Sequence, residues 1–133
     1  MSKYRTLKYP PSIFWEVTPL CNHNCVHCFN YWRTDITETK ELNENYFSKS
    51  HHDFSEKIVS LHPVQVIITG GEPLLVWEAV KNAIETFLDN GIHVSMNTNA
   101  TLMTDEIASF LADKIVKIVK VLIYAWVVAE RIN

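Results

Sequence analysis

Short, mainly apolar runs bounded by proline or glycine divide the chain. Ser12–Val17 (SIFWEV) is rich in β-branched and aromatic residues and lies between prolines. Val64–Thr69 (VQVIIT) precedes a pair of glycines, and Ile92–Asn97 is the next segment of this kind. The pattern predicts three strands, of which Val64–Thr69 is expected to be buried.

Between these strands, apolar residues recur at helical spacing. The set before the second strand is Phe47, Phe54, Ile58 and Leu61. The set before the third strand is Trp77, Val80, Ile84, Phe87 and Leu88. Asn43 or Asn45 is the expected cap of the first helix. Asn90-Gly91 supplies a left-handed stop for the second.

A third helix and a fourth strand continue the alternation. Thr104 precedes two acidic residues, which is typical of a helix cap and first turn, and predicts a helix to about Asp113. The following segment, KIVKIVKV, is rich in β-branched residues and predicts a strand. Strands that alternate with helices indicate an α/β fold with a mainly parallel sheet of about four strands. The last stretch, VLIYAWVVAERIN, is apolar, so we expect this C-terminal edge to pair with another chain or to continue further.

Length and charge exclude several classes of protein. With 133 residues the chain is one domain, too short for a complete eight-fold (β/α) barrel of about 250 residues. Its net charge of −3 lacks the basic excess of nucleic-acid-binding proteins. The N-terminus has no apolar signal-peptide core, and no apolar stretch reaches the length of a membrane span. We therefore expect a cytoplasmic protein with neither nucleic acid nor a membrane as its partner.

All three cysteines of the chain, Cys21, Cys25 and Cys28, lie in one short segment, CNHNCVHC. An odd number of closely spaced thiols makes a poor disulfide framework and favours metal binding in a reducing compartment. Three thiolates can hold three irons of a cubane cluster and leave the fourth iron open. The alternative is a structural zinc held by the cysteines and a histidine such as His23 or His27. Zinc sites, however, usually separate two ligand pairs by a longer spacer.

Two motifs together resemble the radical S-adenosylmethionine superfamily. Cys21-x3-Cys25-x2-Cys28 follows the first predicted strand, and a Gly-Gly-Glu-Pro motif follows the second, about forty residues later. The wider strings WEVTPLCNHNCVHCFN, ITGGEPLL and MNTNATLMT are similar to their counterparts in the SPASM-type peptide maturases. The resemblance covers roughly residues 14–113. It implies one domain over 1–133, the N-terminal part of the family's core, with a cluster loop at 18–30 and a Gly-Gly-Glu-Pro segment at 69–74.

The resemblance implies a partial (β/α) barrel and radical chemistry. By that resemblance, the three cysteines bind a 4Fe–4S cluster, and its open iron binds S-adenosylmethionine. Reductive cleavage of this cofactor gives a 5′-deoxyadenosyl radical, which takes a hydrogen atom from the substrate. A peptide or protein is the implied substrate class, and a flavodoxin or ferredoxin is the implied electron donor.

Further cofactor contacts are carried over from the family by position. The segment implied to bind the methionyl amino group is Gly70, Gly71, Glu72 and Pro73. Its glycines allow the backbone to approach a ligand closely, and Glu72 with the carbonyls beside it is the candidate for the ammonium. His27 stands where the family has an aromatic residue near the adenine. Asn97 and Asn99 match a Thr-Asn-Gly element of relatives, except that Ala100 replaces the glycine; the alternative is that they form a turn.

The family's barrel has six strands, whereas this sequence offers about four. A second interpretation therefore stays open, a truncated, non-catalytic cluster-binding fragment or accessory module. A zinc-stabilised binding domain is the third. His51 and His52 are adjacent on the first predicted helix and diverge from each other, so we expect a solvated pair rather than metal ligands.

Overall fold

The computed structural model describes residues 7–26, 28, 34–35, 44–114 and 117–120. Strands and helices alternate through this part of the chain. In order they are β1 (Ser12–Glu16), β2 (Leu20–Cys21), β3 (Thr34–Asp35), α1 (Glu44–Ser60), β4 (Gln65–Thr69), a 3-10 helix (Pro73–Val76), α2 (Trp77–Asp89), β5 (His93–Thr98), α3 (Asp105–Asp113) and β6 (Lys117–Lys120).

The main sheet has four parallel strands in the order β1-β4-β5-β6. Each pair of neighbours is connected through a helix, so the spatial order follows the chain order. This is the order of a (β/α) barrel, whereas a doubly wound sheet reverses its order at the middle. The four predicted strands and the α/β class are confirmed. Because all four strands are parallel, their carboxyl ends meet at one edge of the sheet.

One face of the sheet carries the hydrophobic core. Trp15, Ile68 and Met96 lie opposite one another on β1, β4 and β5, and all three are buried. The Trp15 ring packs edge to face on Phe87 of α2, with 5.8 Å between ring centroids. On the other face Phe14 of β1 is 69% exposed, whereas Ser95 of β5 is buried, so β5 is buried on both sides and β1 is not.

Local signals placed the helix ends correctly in two cases. The Thr104 hydroxyl accepts a hydrogen bond from the Ile107 N–H and caps α3. Helix α2 ends in a Schellman motif around Gly91, whose φ is 71°. Asn45 is not a cap, because it lies inside α1. The alternative cap, Asn43, lies outside the described residues.

The sequence of 29–42 is polar and has no periodic pattern, yet β3 lies within it and pairs with β2 in parallel. Two residues on each side are too few to produce a periodic sequence signal. The final stretch 121–133 lies outside the described residues. In the part of the chain that the structure describes, no helix is long and apolar enough to span a membrane.

Candidate functional site

The cysteine loop follows β1 at the carboxyl edge of the sheet. Cys21 is buried at the end of β2, whereas Cys25 and Cys28 are half-buried. The Cys28 N–H donates to the Cys25 carbonyl at 3.2 Å, so these two cysteines share one tight turn. None of the three forms a disulfide.

Burial is the main reason why the pKa of the Cys21 thiol is raised. A backbone hydrogen bond involving His23 acts in the opposite direction. The charges of Glu72, Cys25 and Cys28 raise this pKa further. These charges lie on the same loop as Cys21 and at the end of β4.

A single ion needs its ligands to converge on one point. Among the described residues, no group of three or more His, Cys, Asp or Glu side chains is arranged to hold one ion. The thiolates of a cubane cluster each bind a different iron and need not converge in this way. The donor chemistry of the loop, with three thiols on one short segment, therefore fits an iron–sulfur cluster.

The two glycines at the end of β4 bring its backbone against the cysteine loop. The Gly71 N–H donates to the Thr18 carbonyl, and the Glu72 N–H donates to the Leu20 carbonyl, each at 2.7 Å. A Cβ on Gly71 would overlap the Leu20 carbonyl. Gly70 has a φ of 127°, which an L side chain rarely adopts. The glycines are thus required by the approach of the protein's own loop.

The Glu72 side chain is completely buried and faces inward. Its Oε1 accepts hydrogen bonds from the Leu74 N–H at 2.9 Å and the Thr98 hydroxyl at 2.7 Å. Its Oε2 accepts from the Asn99 N–H at 2.7 Å. All three partners donate, which suits a carboxylate. Glu72 therefore connects the end of β4 to the end of β5, and Pro73 begins the 3-10 helix behind it.

The predicted asparagines both lie at the carboxyl end of β5, but they make different contacts. The Asn97 Nδ2 donates to the Thr69 hydroxyl at 3.4 Å, across to β4. The Asn99 side chain donates from Nδ2 to Asn22 Oδ1 at 2.8 Å, and its Oδ1 accepts from Thr101. Asn99 therefore joins the β5 end to the cysteine loop, a contact that the sequence motif did not reveal.

The histidine predictions had different outcomes. His27 lies outside the described residues. The expectation of a solvated pair is wrong for His51, which is 6% exposed, whereas His52 is exposed. The His51 Nε2 lies 2.5 Å from the Val17 carbonyl, which can only accept, so Nε2 carries the proton. His51 thus holds the end of β1 just before the cysteine loop. Its place in the Phe47, Phe54 and Ile58 spacing was a usable signal for this burial.

Comparisons with known proteins agree with this geometry. The profile described as the Radical SAM superfamily matches residues 15–123. This range contains the cysteine loop, the Gly-Gly-Glu-Pro segment and both asparagines.

Two relatives illustrate the range of similar sequences. An AdoMet-dependent heme synthase from Methanosarcina barkeri is 35% identical over 105 residues, which are 77% of this chain and 28% of the relative. The mycofactocin maturase MftC from Mycolicibacterium smegmatis is 30% identical over 111 residues, 81% of this chain and 26% of the relative. The chain thus spans little more than a quarter of the length of these two proteins.

Solved structures show the same fold. SuiB from Streptococcus suis superposes with a TM-score of 0.58 at 21% identity, over 79% of this chain and 22% of SuiB. BtrN, solved in complex with AdoMet and 2-DOIA, superposes with a TM-score of 0.57 at 22% identity, over 80% of this chain and 43% of BtrN. The fold of this chain is therefore similar to part of a longer chain in each of them.

Proposed function

The chain belongs to the radical S-adenosylmethionine superfamily, and on that basis we propose that Cys21, Cys25 and Cys28 bind a 4Fe–4S cluster that acts with S-adenosylmethionine in hydrogen abstraction. Members of the superfamily use these two cofactors, and the similar proteins with named activities are enzymes. One observation carries the proposal: the backbone N–H groups of Gly71 and Glu72, just after β4, donate to the backbone of the cysteine loop. The two motifs therefore form one site.

The residues around the loop suit this role. The carbonyls of Gly70 and Gly71 lie at the carboxyl edge beside the cysteines, and we assign them to the methionyl ammonium. The Glu72 carboxylate already accepts three hydrogen bonds inside the protein, so its role in the proposal is to support this backbone. Asn97, half-buried at the same edge, is a candidate for a polar contact to the cofactor.

When bound, the cluster and S-adenosylmethionine supply a 5′-deoxyadenosyl radical that removes a hydrogen atom from the substrate. The chain's own residues position the cofactor and limit access of water. Burial of Cys21 and Thr18 keeps the β1 side of the loop dry. His51 fixes the Val17 carbonyl, so the loop leaves β1 in one direction.

We infer that the substrate is a peptide or protein. The support is the similarity to the mycofactocin maturase MftC and to SuiB, which has also been solved bound to its precursor peptide SuiA. The proposal also includes a flavodoxin- or ferredoxin-type electron donor and a cytoplasmic location, where thiols stay reduced.

Anaerobic reconstitution with iron and sulfide tests the cluster. We expect a brown protein with broad visible absorbance and iron and sulfide near four each per chain. The variant in which all three cysteines are serine should bind neither, and Ser109→Ala, an exposed change on α3, is the matched control. A wild-type chain that takes up one zinc and no iron would refute the proposal.

Reductive cleavage of S-adenosylmethionine tests the chemistry. Reduced holoprotein should release 5′-deoxyadenosine and methionine in equal amounts, measured by chromatography. A wild-type chain that holds a complete cluster but forms no 5′-deoxyadenosine would favour the second candidate, a cluster-binding module without turnover. We retain this second candidate because the matched region covers little more than a quarter of the length of each of the two relatives.

A further inference from the structure

We propose that Asn22 is a positioning residue that holds Cys21 ready for metal binding before any cluster is present. The inference rests on the proposed function only in taking Cys21 as a cluster ligand. It comes from a closed ring of hydrogen bonds that joins the cysteine loop to the ends of β4 and β5.

Asn22 directly follows Cys21, and both ends of its side-chain amide are engaged. Its Oδ1 accepts from Asn99 Nδ2 at 2.8 Å, and its Nδ2 donates to the Thr101 hydroxyl at 3.0 Å. That hydroxyl donates in turn to Asn99 Oδ1 at 2.7 Å. The three side chains form a cyclic set in which each donates one hydrogen bond to the next, from Asn99 to Asn22, from Asn22 to Thr101 and from Thr101 to Asn99.

The other side of Cys21 is held through the backbone. The Leu20 carbonyl accepts from the Glu72 N–H at 2.7 Å, and the Glu72 carboxylate accepts from the Asn99 N–H at 2.7 Å. Contacts therefore run from Leu20 to Glu72, on to Asn99 and back to Asn22. Cys21 is the residue enclosed by this ring, so its backbone is fixed on both sides.

The rest of the loop lies outside the ring. Val26, between the other two cysteines, is 93% exposed, and Cys25 and Cys28 are only half-buried. Cys21 is thus the cysteine whose surroundings the ring orders. Asn22 is half-buried and lies outside the hydrophobic core, so removal of its amide should free Cys21 without disturbing the core.

An experiment on metal-free protein tests the inference directly. The chain has three cysteines, so a Cys25→Ser/Cys28→Ser background leaves Cys21 as its one thiol. In this background we expect Asn22→Ala to raise the rate of Cys21 alkylation by iodoacetamide about tenfold, equivalent to about 1.4 kcal/mol of lost ordering from two hydrogen bonds. Asn82→Ala, exposed on α2, is the matched control and should leave the rate unchanged.

Asn99, the hydrogen-bond partner of Asn22, provides a second test. Asn99→Ala should raise the alkylation rate by a similar factor, and the double variant should react no faster than either single one, because the two side chains act together. Unchanged melting temperatures would show that the faster reaction reflects the loop and not global unfolding.

A spectroscopic readout connects the ring to the cluster. In the reconstituted protein with three cysteines, Asn22→Ala should shift the EPR g values of the reduced cluster relative to Asn82→Ala, because the orientation of one thiolate changes. An Asn22→Ala alkylation rate equal to that of the control would overturn the inference. Failure of the wild-type chain to bind iron would instead overturn the proposed function and leave the alkylation result standing.

Discussion

Replacing Glu72 by glutamine tests how the site is built. Glu72 has no solvent-exposed surface, and its carboxylate accepts hydrogen bonds from Leu74, Thr98 and Asn99. Glutamine has almost the same shape but presents one oxygen and one NH2 group. One of the buried donors must then face another donor, whichever way the amide is turned.

The expected magnitude follows from this mismatch. A buried donor without an acceptor costs about 1–3 kcal/mol, and a hydrogen bond to a charged group contributes about 1.5–3 kcal/mol. We therefore expect Glu72→Gln to lower the free energy of unfolding by about 2–3 kcal/mol. Glu72→Ala leaves all three donors unpaired beside a cavity, and we expect a loss of about 4 kcal/mol. For 133 residues the total stability is roughly 7–20 kcal/mol, so both losses are large.

Urea denaturation of the metal-free protein, followed by tryptophan fluorescence, measures these losses. Trp15 is buried in the core and reports on its unfolding. Glu56→Gln removes the same charge from an exposed position on α1 and is the matched control, with an expected change within about 0.5 kcal/mol. If Glu72→Gln is as stable as this control, the inward-facing carboxylate does not hold β4 and β5 together, and our account of the segment is refuted.

Three further substitutions probe separate contacts. Gly71→Ala places a Cβ on the cysteine loop backbone, so we expect a loss of about 3 kcal/mol or more in urea denaturation and reduced iron uptake on reconstitution. Its control is Gly91→Ala, where a Cβ would meet no neighbouring atom and only the backbone strain of a positive φ remains, so the expected loss of stability is about 1 kcal/mol. Equal losses for the two variants would contradict the close approach at Gly71. His51→Leu removes the donor to the β1 carbonyl and should cost about 1–3 kcal/mol, whereas His52→Leu, which is exposed, should cost almost nothing. Thr104→Ala removes the cap of α3, so we expect the free energy of unfolding to fall by about 1 kcal/mol and the thermal melting point to fall with it. An unchanged melting point would show that the cap contributes nothing.

The sequence predicted those parts of the fold that depend on local pattern. Apolar runs predicted β1, β4 and β5. The Asn90-Gly91 pair predicted the end of α2, and the Thr104 cap predicted the start of α3, because both helix ends depend on residues that are close in sequence. The cysteine motif likewise needed only its spacing. Such signals can be recognised in the sequence without knowledge of the tertiary structure.

The contacts that build the site could not be predicted in the same way. Asn22 and Asn99 are 77 positions apart, and their pairing depends on how β5 lies beside β4. The inward direction of Glu72 depends on the same alignment, since its donors come from the end of β5. For Gly71 the sequence predicted a close approach but not what approaches, which is the Leu20 carbonyl. His51 could have been placed, because it lies on the apolar stripe of α1.

The 77-residue separation between Asn22 and Asn99 also bears on how the protein matures. At a synthesis rate of about 5–20 residues per second, Asn99 is made roughly 4–15 s after Asn22. The nascent loop lacks the β5 amide for the whole of this interval and the backbone of Gly71 and Glu72 for more than half of it. A cysteine loop encoded near the start of the chain is therefore shaped late, once strands encoded much later have joined the sheet. Under the proposed function, cluster insertion into the ordered loop follows that event.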